Sequence, residues 1–435
     1  MMRKGKLKRL AACCLAAATA LLSLSSCGSG KDEKKYKIFV IGQTQNMKFW
    51  EDVEAGAMDA AEELGYEVTY DASTDITKTT EQRELIDKAM EEGYDAICIA
   101  PNHATALNER LQQAADKGIY IFTIDADTTD LPKRISYIGT KNASAGSIAG
   151  REAAAILKEI GPNARAAIVC HSEAASSAQE RVQGFQSELN SVLNRSEQQS
   201  AGAQQGAGAQ QGEDDSQDGQ QGEGAPQDGQ QGEGAPQDGQ QGEGAPQDGQ
   251  QGEGAPQDGQ QDEGAQQGGQ PGGASAAAQT DFIAETRYCN GTSDDAKNMA
   301  AEIIKKYPEV KLLYATNESS TVGVCRAVEE ANKAGDIKVI GFNSNSQEIE
   351  DLKAGLLTAT MLQNPYNMGY LGVFYAGQYL TELEKIEKSG DKERKPSIPP
   401  TFDTGAFYLT KDHLDDNDIA LLLNPYLYDK DSEEK

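Results

Sequence analysis

The chain has 435 residues, with 69 acidic and 40 basic side chains and a formal charge of −29. No cluster of Lys and Arg forms the basic footprint of a nucleic-acid-binding protein, so that class is excluded. The acidity is divided: Gln198 to Thr280 hold fourteen acidic residues and no Lys or Arg, about half of the excess, and the acidity elsewhere serves solubility.

Arg3, Lys4, Lys6, Lys8 and Arg9 precede a short apolar run from Leu10 to Leu24. A basic segment, a brief apolar run and small residues make an export signal. The run is Ala-rich and shorter than the ~20 residues that span a bilayer, which leaves a retained transmembrane helix as the alternative. Leu24-Ser25-Ser26-Cys27 resembles the lipobox of bacterial lipoproteins. In that family the peptide is cut before the cysteine and the thiol carries diacylglycerol, whose buried methylenes hold the protein at a membrane. The resemblance implies a signal peptide over 1–26, a lipidated Cys27, a tether over 27–35 and a site of action at the outer face of the cell membrane.

Beyond the tether, β-rich runs alternate with amphipathic helices. Lys37 to Ile41 reads as a strand; Val53, Ala57, Ala60, Ala61 and Leu64 recur at helical spacing, and Gly65 ends that helix. Glu67 to Tyr70 is the next strand, and Thr79 with Gln82 forms a capping box for a helix that ends near Gly93. Ala96 to Ala100 is an uninterrupted apolar strand. Leu107, Leu111, Ala114 and Ala115 mark a helix stopped by Gly118, and Tyr120 to Ile124 is a strand closing on Asp125. Continuous apolar strands joined by helices predict a parallel sheet covered on both faces. The pattern restarts after Asn142, with a helix to Ile160, a strand from Ala166 to Val169 and a helix striped by Val182, Phe185, Leu189 and Val192. It resumes with strand Phe282 to Tyr288, helix Ala296 to Tyr307, strand Lys311 to Ala315, a helix to Ala334, and strands Val339 to Phe342 and Thr358 to Leu362. The fold class is α/β, with two doubly wound parallel-sheet lobes, each long enough for its own core.

Between the lobe's helix and its next strand, a ten-residue unit recurs with prolines at Pro226, Pro236, Pro246 and Pro256. Without aromatic or large aliphatic side chains it cannot offset the entropy of ordering, so residues 198–280 are expected to be a disordered insert. Its glycines do not fall every third residue, which excludes collagen, and no unit has a face to bury against a neighbour. It occupies a helix-to-strand connection, at the edge opposite the strand-to-helix loops where open α/β sheets bind ligands.

Polar side chains cluster at those strand-to-helix loops: Gln43 to Trp50, Asp125 and Asp127, Asn317 and Glu318, Asn343 to Asn345, and Gln363 with Asn364. Amides and carboxylates pair with hydroxyls as donors and acceptors, and Phe49 and Trp50 offer flat faces for the C–H side of a sugar ring. Taken singly, an Asn at a strand end is a turn residue and an aromatic at a helix start is core; the recurrence at equivalent positions makes the argument. Cys98, Cys170, Cys289 and Cys325 read as buried thiols, with a Cys170–Cys289 disulfide as the alternative because both close neighbouring strands. No nucleophile–base pair, phosphate loop or zinc spacing stands out, and His103 and His171 are isolated. No catalytic residue, metal or cofactor is therefore expected, and an enzyme is disfavoured.

Several stretches together resemble the type I periplasmic sugar-binding proteins, of the ribose- and galactose-binding kind, that serve ABC importers. They are Phe49-Trp50 with Gly56, Thr123-Ile124-Asp125, Tyr137 to Thr140 with Asn142, Glu180-Arg181 with Gly184-Phe185, Tyr314 to Asn317, Val339 to Asn343 and Thr360 to Gln363. The resemblance implies a lipid-anchored receptor, a monomer, that closes two lobes on a small sugar or polyol and hands it to an ABC permease. It implies ligand contacts from Asn46, Phe49, Trp50, Asp125, Arg181, Asn317, Asn343 and Gln363. Asp125 and Arg181 clamp from opposite lobes at a solvent-facing cleft, where folding does not depend on them. Lobe 1 is expected over 36–140 with 364–400, lobe 2 over 141–363 with 401–425, and a charged tail over 426–435. Four positions depart from ribose binders: Asn343 replaces Asp, Ala126 replaces Arg, Met47 replaces Asn, and the aromatic near Gly291 is missing, with Tyr288 the nearest candidate. A different pentose, a hexose or a cyclitol fits as well. Two rivals remain: a sugar sensor that presents its closed form to a sensor kinase or chemoreceptor, and a wall spacer in which the repeats matter and the lobes are incidental. A lactose-repressor-type regulator shares the lobes but carries DNA-binding helices where this chain has an export signal.

Overall fold

The computed structural model describes residues 35–208, 280–391 and 393–423. The expected signal peptide over 1–26, Cys27, nearly all of the expected tether, most of the insert and the charged tail lie outside them. Residues 35–197 and 280–423 belong to one unit, which carries both lobes.

Lobe 1 is built from β1 (Lys37–Gly42), α1 (Lys48–Leu64), β2 (Glu67–Ala72), α2 (Thr79–Glu92), β3 (Ala96–Ile99), α3 (Asn108–Asp116), β4 (Tyr120–Ile124) and β5 (Arg134–Gly139). The chain then makes α4 (Asn142–Ile160), β6 (Arg165–Cys170), α5 (Ser176–Gly208), β7 (Ile283–Tyr288), α6 (Ser293–Lys306), β8 (Val310–Ala315), α7 (Glu318–Glu330), β9 (Lys338–Phe342), α8 (Ser346–Ala354) and β10 (Ala359–Leu362), the body of lobe 2. It returns to lobe 1 in α9 (Pro365–Ser389) and β11 (Thr401–Asp403), and ends in lobe 2 with β12 (Phe407–Leu409) and α10 (Asn417–Leu423).

The two sheets run β11-β5-β4-β3-β1-β2 and β12-β10-β9-β8-β6-β7, every pair parallel except β10 with β12. Alternation along the central strands explains the layers. Ile38 and Val40 of β1 face Val53 and Ala57 of α1 and Val373 and Ala376 of α9, while Phe39 and Ile41 face Ile86, Leu107 and Leu111 on the other side. Lobe 2 repeats this: Ala166, Ile168 and Cys170 pack on Ala149, Phe185 and Leu189, and Ala167 and Val169 on Ala296, Ala300 and Val324. Both faces of each sheet are covered, which is why the strands read as unbroken apolar runs.

Each lobe contains helices that meet backbone to backbone. A Cβ on Gly369 of α9 would lie 1.9 Å from the Val53 carbonyl oxygen of α1, and one on Gly146 of α4 would lie 2.3 Å from that of Arg181 in α5. Only hydrogen fits there, so these glycines fix the helix spacing, and Gly146 fixes the backbone that carries Arg181.

Three details differ from expectation. The Thr79–Gln82 capping box does not form: Lys78 is the N-cap, without a side-chain bond. Gln82 is buried instead, donating to the carbonyls of Gly42 and Ala100 and accepting from the Asn102 amide, so it ties the ends of β1 and β3 together. The helix leaving Ser176 continues to Gly208, past the Gln198 boundary, because extending an existing helix escapes the cost of nucleation. Finally, β11 pairs with β5, so the last crossing between lobes falls after Asp403 and not after Pro400.

Candidate functional site

The carboxyl ends of the two sheets meet across a cavity of about 180 Å³. That volume suits a small solute; drug-sized ligands occupy roughly 300–1,000 Å³. Lobe 1 contributes Gln43, Phe49, Trp50 and Asp125, and lobe 2 contributes His171, Arg181, Asn317, Asn343 and Gln363, among others.

Arg181 organises the lobe 2 side. Its Nε donates to Asn142 Oδ1 at 2.8 Å, Nη1 to the Thr316 carbonyl at 2.8 Å and Nη2 to Gln363 Oε1 at 3.0 Å. The guanidinium lies 3.8 Å from the centre of the Phe342 ring, a cation–π contact. Gln363 Nε2 donates onward to Asn343 Oδ1 at 2.6 Å. The planar fork thus holds four polar residues in one network, a geometry lysine does not reproduce.

Asp125 faces it from lobe 1, at the end of β4 with φ +55°. Its carbonyl accepts from the Tyr137 hydroxyl at 2.8 Å and from Asn142 Nδ2 at 3.3 Å. Among the described residues no hydrogen bond reaches its carboxylate, and the nearest cationic atom is Arg181 Nη2 at 3.7 Å. Burial pushes the Asp125 carboxyl up to about 6, against the opposing pull of Arg181. Both residues are nearly inaccessible, Asp125 at 4 % and Arg181 at 3 % exposure. The expectation of a solvent-facing clamp irrelevant to folding is therefore corrected: the closed lobes bury the pair, and Arg181 satisfies acceptors on three separate segments.

Phe49 and Trp50 open α1, packed edge to face at 5.0 Å between ring centres, and both line the cavity while belonging to the lobe 1 core. Asn317 lines it too, but its Oδ1 caps α7 by accepting from the Ser320 amide at 2.9 Å. Asn343, at φ +83°, turns the chain out of β9 and receives Gln363. Asn46 stands outside the lining: it is exposed at φ +59°, and Met47 occupies the wall. Tyr288 packs against the lobe 2 core and lines no part of the cavity.

Sequence reasoning passed over His171 as isolated. It follows β6, is 3 % exposed and lines the cavity, with Nδ1 2.7 Å from Thr316 Oγ1. Burial, and then Arg181, push its imidazole down to about 3. The ring is neutral at ordinary pH and polar without charge. Its place after a strand, equivalent to that of Asp125, is the signal that finds it. Cys170 and Cys289, the alternative disulfide, are free buried thiols; burial pushes Cys289 up to about 12.

The lobes touch on both sides of the cavity. The Ser176 hydroxyl donates to the Asp127 carbonyl at 2.6 Å, and the Ala104 amide to the Ala174 carbonyl at 2.9 Å. On the other side, Glu318 of lobe 2 faces the start of α1, sharing a small cleft with Lys48, Phe49 and Asp52, where the N-cap Met47 offers no side-chain cap.

With this geometry in hand, comparison places the chain among known proteins. The model of the periplasmic binding protein domain matches residues 38–222 and 247–384. A D-ribose/D-allose-binding protein of Pseudomonas aeruginosa is 22 % identical over 90 % of this chain and 96 % of its own length. The D-allose-binding periplasmic protein of Escherichia coli is 28 % identical over 24 % of this chain, and the match spans only 32 % of that relative. Among solved structures, a carbohydrate transporter solute binding protein from Agrobacterium radiobacter, in complex with D-arabinose, superposes with a TM-score of 0.62 at 21 % identity. It covers 90 % of this chain and 99 % of the other. Two doubly wound lobes, a polar cavity at their facing strand ends and a family match over most of both make this chain a member of the periplasmic binding protein domain family.

Proposed function

We propose that this protein captures a small neutral sugar or polyol between its lobes and delivers it to an ABC permease, while tethered to the outer face of the cell membrane through a lipid on Cys27. The observation that carries the reading is the facing pair of Asp125 and Arg181. A buried carboxylate with no hydrogen-bond donor among the described residues opposes a guanidinium already oriented by three bonds. A vicinal diol meets both needs, donating to one and accepting from the other. Phe49 and Trp50 supply the apolar surface that a sugar ring requires. Supporting context comes from relatives described as ribose- and allose-binding and import proteins. The reading contains no chemical step; capture is by closure of lobes around ligand, as in other binding proteins of two lobes.

A thermal-shift and calorimetric screen of purified protein against aldopentoses, aldohexoses and cyclitols tests it. At least one neutral compound should raise the melting point and bind stoichiometrically. Asp125→Ala should weaken that binding roughly tenfold to a hundredfold, the worth of one charge-assisted bond. Wild type binding none of the panel, or Asp125→Ala binding as wild type does, would overturn the reading. The anchor is tested separately: Cys27→Ala should leave the membrane fraction, and unchanged retention favours an uncleaved helix.

A further inference from the structure

One wall of the cavity is made where the lobes interlock. Ile76 lies in the turn between β2 and α2, on lobe 1, and Gly291 in the turn between β7 and α6, on lobe 2; both line the cavity. A Cβ on Gly291 would come within 2.5 Å of Ile76 Cγ2. Gly291 also holds φ +78°, a conformation open to glycine. The isoleucine therefore sits in a socket that only a glycine provides.

Both sides of this contact are fixed. Asp75 Oδ1 accepts from the Thr77 amide and hydroxyl, each at 2.7 Å, and the Thr74 amide and hydroxyl donate to Glu81, which staples the turn to the first coil of α2. Across from it, the Ser319 hydroxyl donates to the Gly291 carbonyl at 2.6 Å. Ile76 is almost fully buried, so its position is set by the closed lobes and by these two pinned turns together.

We propose that Ile76, seated on Gly291, is a specificity-determining residue that limits how much of a sugar beyond its ring the closed cavity admits. This rests on the sugar-binding reading above. A branched aliphatic wall cannot bond a hydroxymethyl group and takes the space such a group needs. Because the wall is completed by the opposite lobe, it discriminates at closure, when the ligand is enclosed.

The test uses sugar pairs that differ only by the exocyclic hydroxymethyl group: D-ribose with D-allose, D-xylose with D-glucose, and L-arabinose with D-galactose. Affinities are measured by calorimetry for the pair the wild type binds best, with circular dichroism to verify folding of each variant. Ile76→Ala should shift the hexose-to-pentose affinity ratio about tenfold toward the hexose, the scale of a small group admitted to a pocket. Gly291→Ala should weaken both sugars equally, because its methyl meets Ile76 and obstructs closure. Adding Ile76→Ala to Gly291→Ala should recover affinity, since the obstructing partner is gone. A ratio within twofold of wild type in Ile76→Ala, with binding intact, overturns this inference alone. Strict additivity of the two substitutions overturns the socket. A wild type that binds none of the six sugars overturns this inference, and the reading it rests on falls with it only if the wider panel of aldopentoses, aldohexoses and cyclitols fails as well.

Discussion

Replacing Arg181 by methionine keeps the apolar stem of the side chain and removes the guanidinium. Three buried acceptors lose their donor: Asn142 Oδ1, the Thr316 carbonyl and Gln363 Oε1. Each orphaned group costs about 1–3 kcal/mol. The three share one side chain and do not simply add, so the loss expected is that of one broken buried pair, about 3–5 kcal/mol. That is a large part of an ordinary stability of about 5–15 kcal/mol. The sign with pH follows from Asp125. Its folded value, about 6, lies above the unfolded one near 3.8, so the fold favours the protonated carboxyl. Ionising it costs nothing below the unfolded value, and the cost grows as pH rises through the folded value, reaching about 3 kcal/mol in the wild type. Without Arg181 the folded value climbs further, and the variant's deficit should be greater at pH 8 than at pH 5. Urea unfolding at both pH values measures it. Adding Asp125→Asn should return part of the pH 8 loss. A deficit below about 1 kcal/mol at pH 8, less than one orphaned acceptor, or equal deficits at the two pH values, would refute the argument.

His171 acts in the opposite direction. Its folded value near 3 lies below the ordinary 6.5, so the unfolded chain binds the extra proton and stability falls as pH drops below about 6.5. Between pH 7 and pH 5 this group should remove about 2 kcal/mol, a loss absent in His171→Gln. Glu348 is pushed well up, by burial first and then by Glu318. Glu348→Gln should raise the melting point more at pH 8 than at pH 5; an equal gain at both would contradict a carboxyl pushed up by burial. Gly146→Ala should force α4 off the Arg181 backbone, lowering stability by about 1–3 kcal/mol and weakening ligand binding together. Stability lost with binding intact would show that α4 does not position Arg181.

The central strands were legible because sheets covered on both faces demand unbroken apolar runs, and Ala96 to Ile99 and Leu312 to Ala315 carry nothing else. Strand β5 was not legible, since Arg134, Ser136 and Tyr137 interrupt its apolar pattern; Arg134 and Ser136 bond the Pro400 and Pro399 carbonyls, and Tyr137 those of Asp125 and Thr140. β11 and β12 have three residues each, too few for a period. Gln82 misled because a capping pattern is local, whereas its partners lie on β1, β3 and the Asn102 loop. In the site, residue type and strand-end position found Asp125 and Gln363, whereas Arg181, which lies within α5, was found through the family resemblance alone. Burial could not be read that way, since it depends on the opposing lobe, and it is burial that neutralises His171 and makes Arg181 structural.

The return of α9 to lobe 1 carries a consequence for the order of assembly. The core of lobe 2, apart from its edge strand β12 and the helix after it, comes from chain between Asn142 and Leu362. Lobe 1 has no such independence. Val373, Ala376 and Leu380 fill one side of its sheet, and the Tyr36 hydroxyl donates to the Leu380 carbonyl, 344 residues away in the chain. Until that distant helix is available, α1 alone covers this face of the lobe 1 sheet and leaves part of it bare, and pairing so remote in sequence is slow to form. Lobe 2 should therefore gain amide protection first during refolding, and a chain ended before Pro365 should hold lobe 2 native-like while lobe 1 stays open to proteases. The segment whose synthesis comes first is then the last to fold, so lobe 1 stays unfinished until nearly all of the chain has been made.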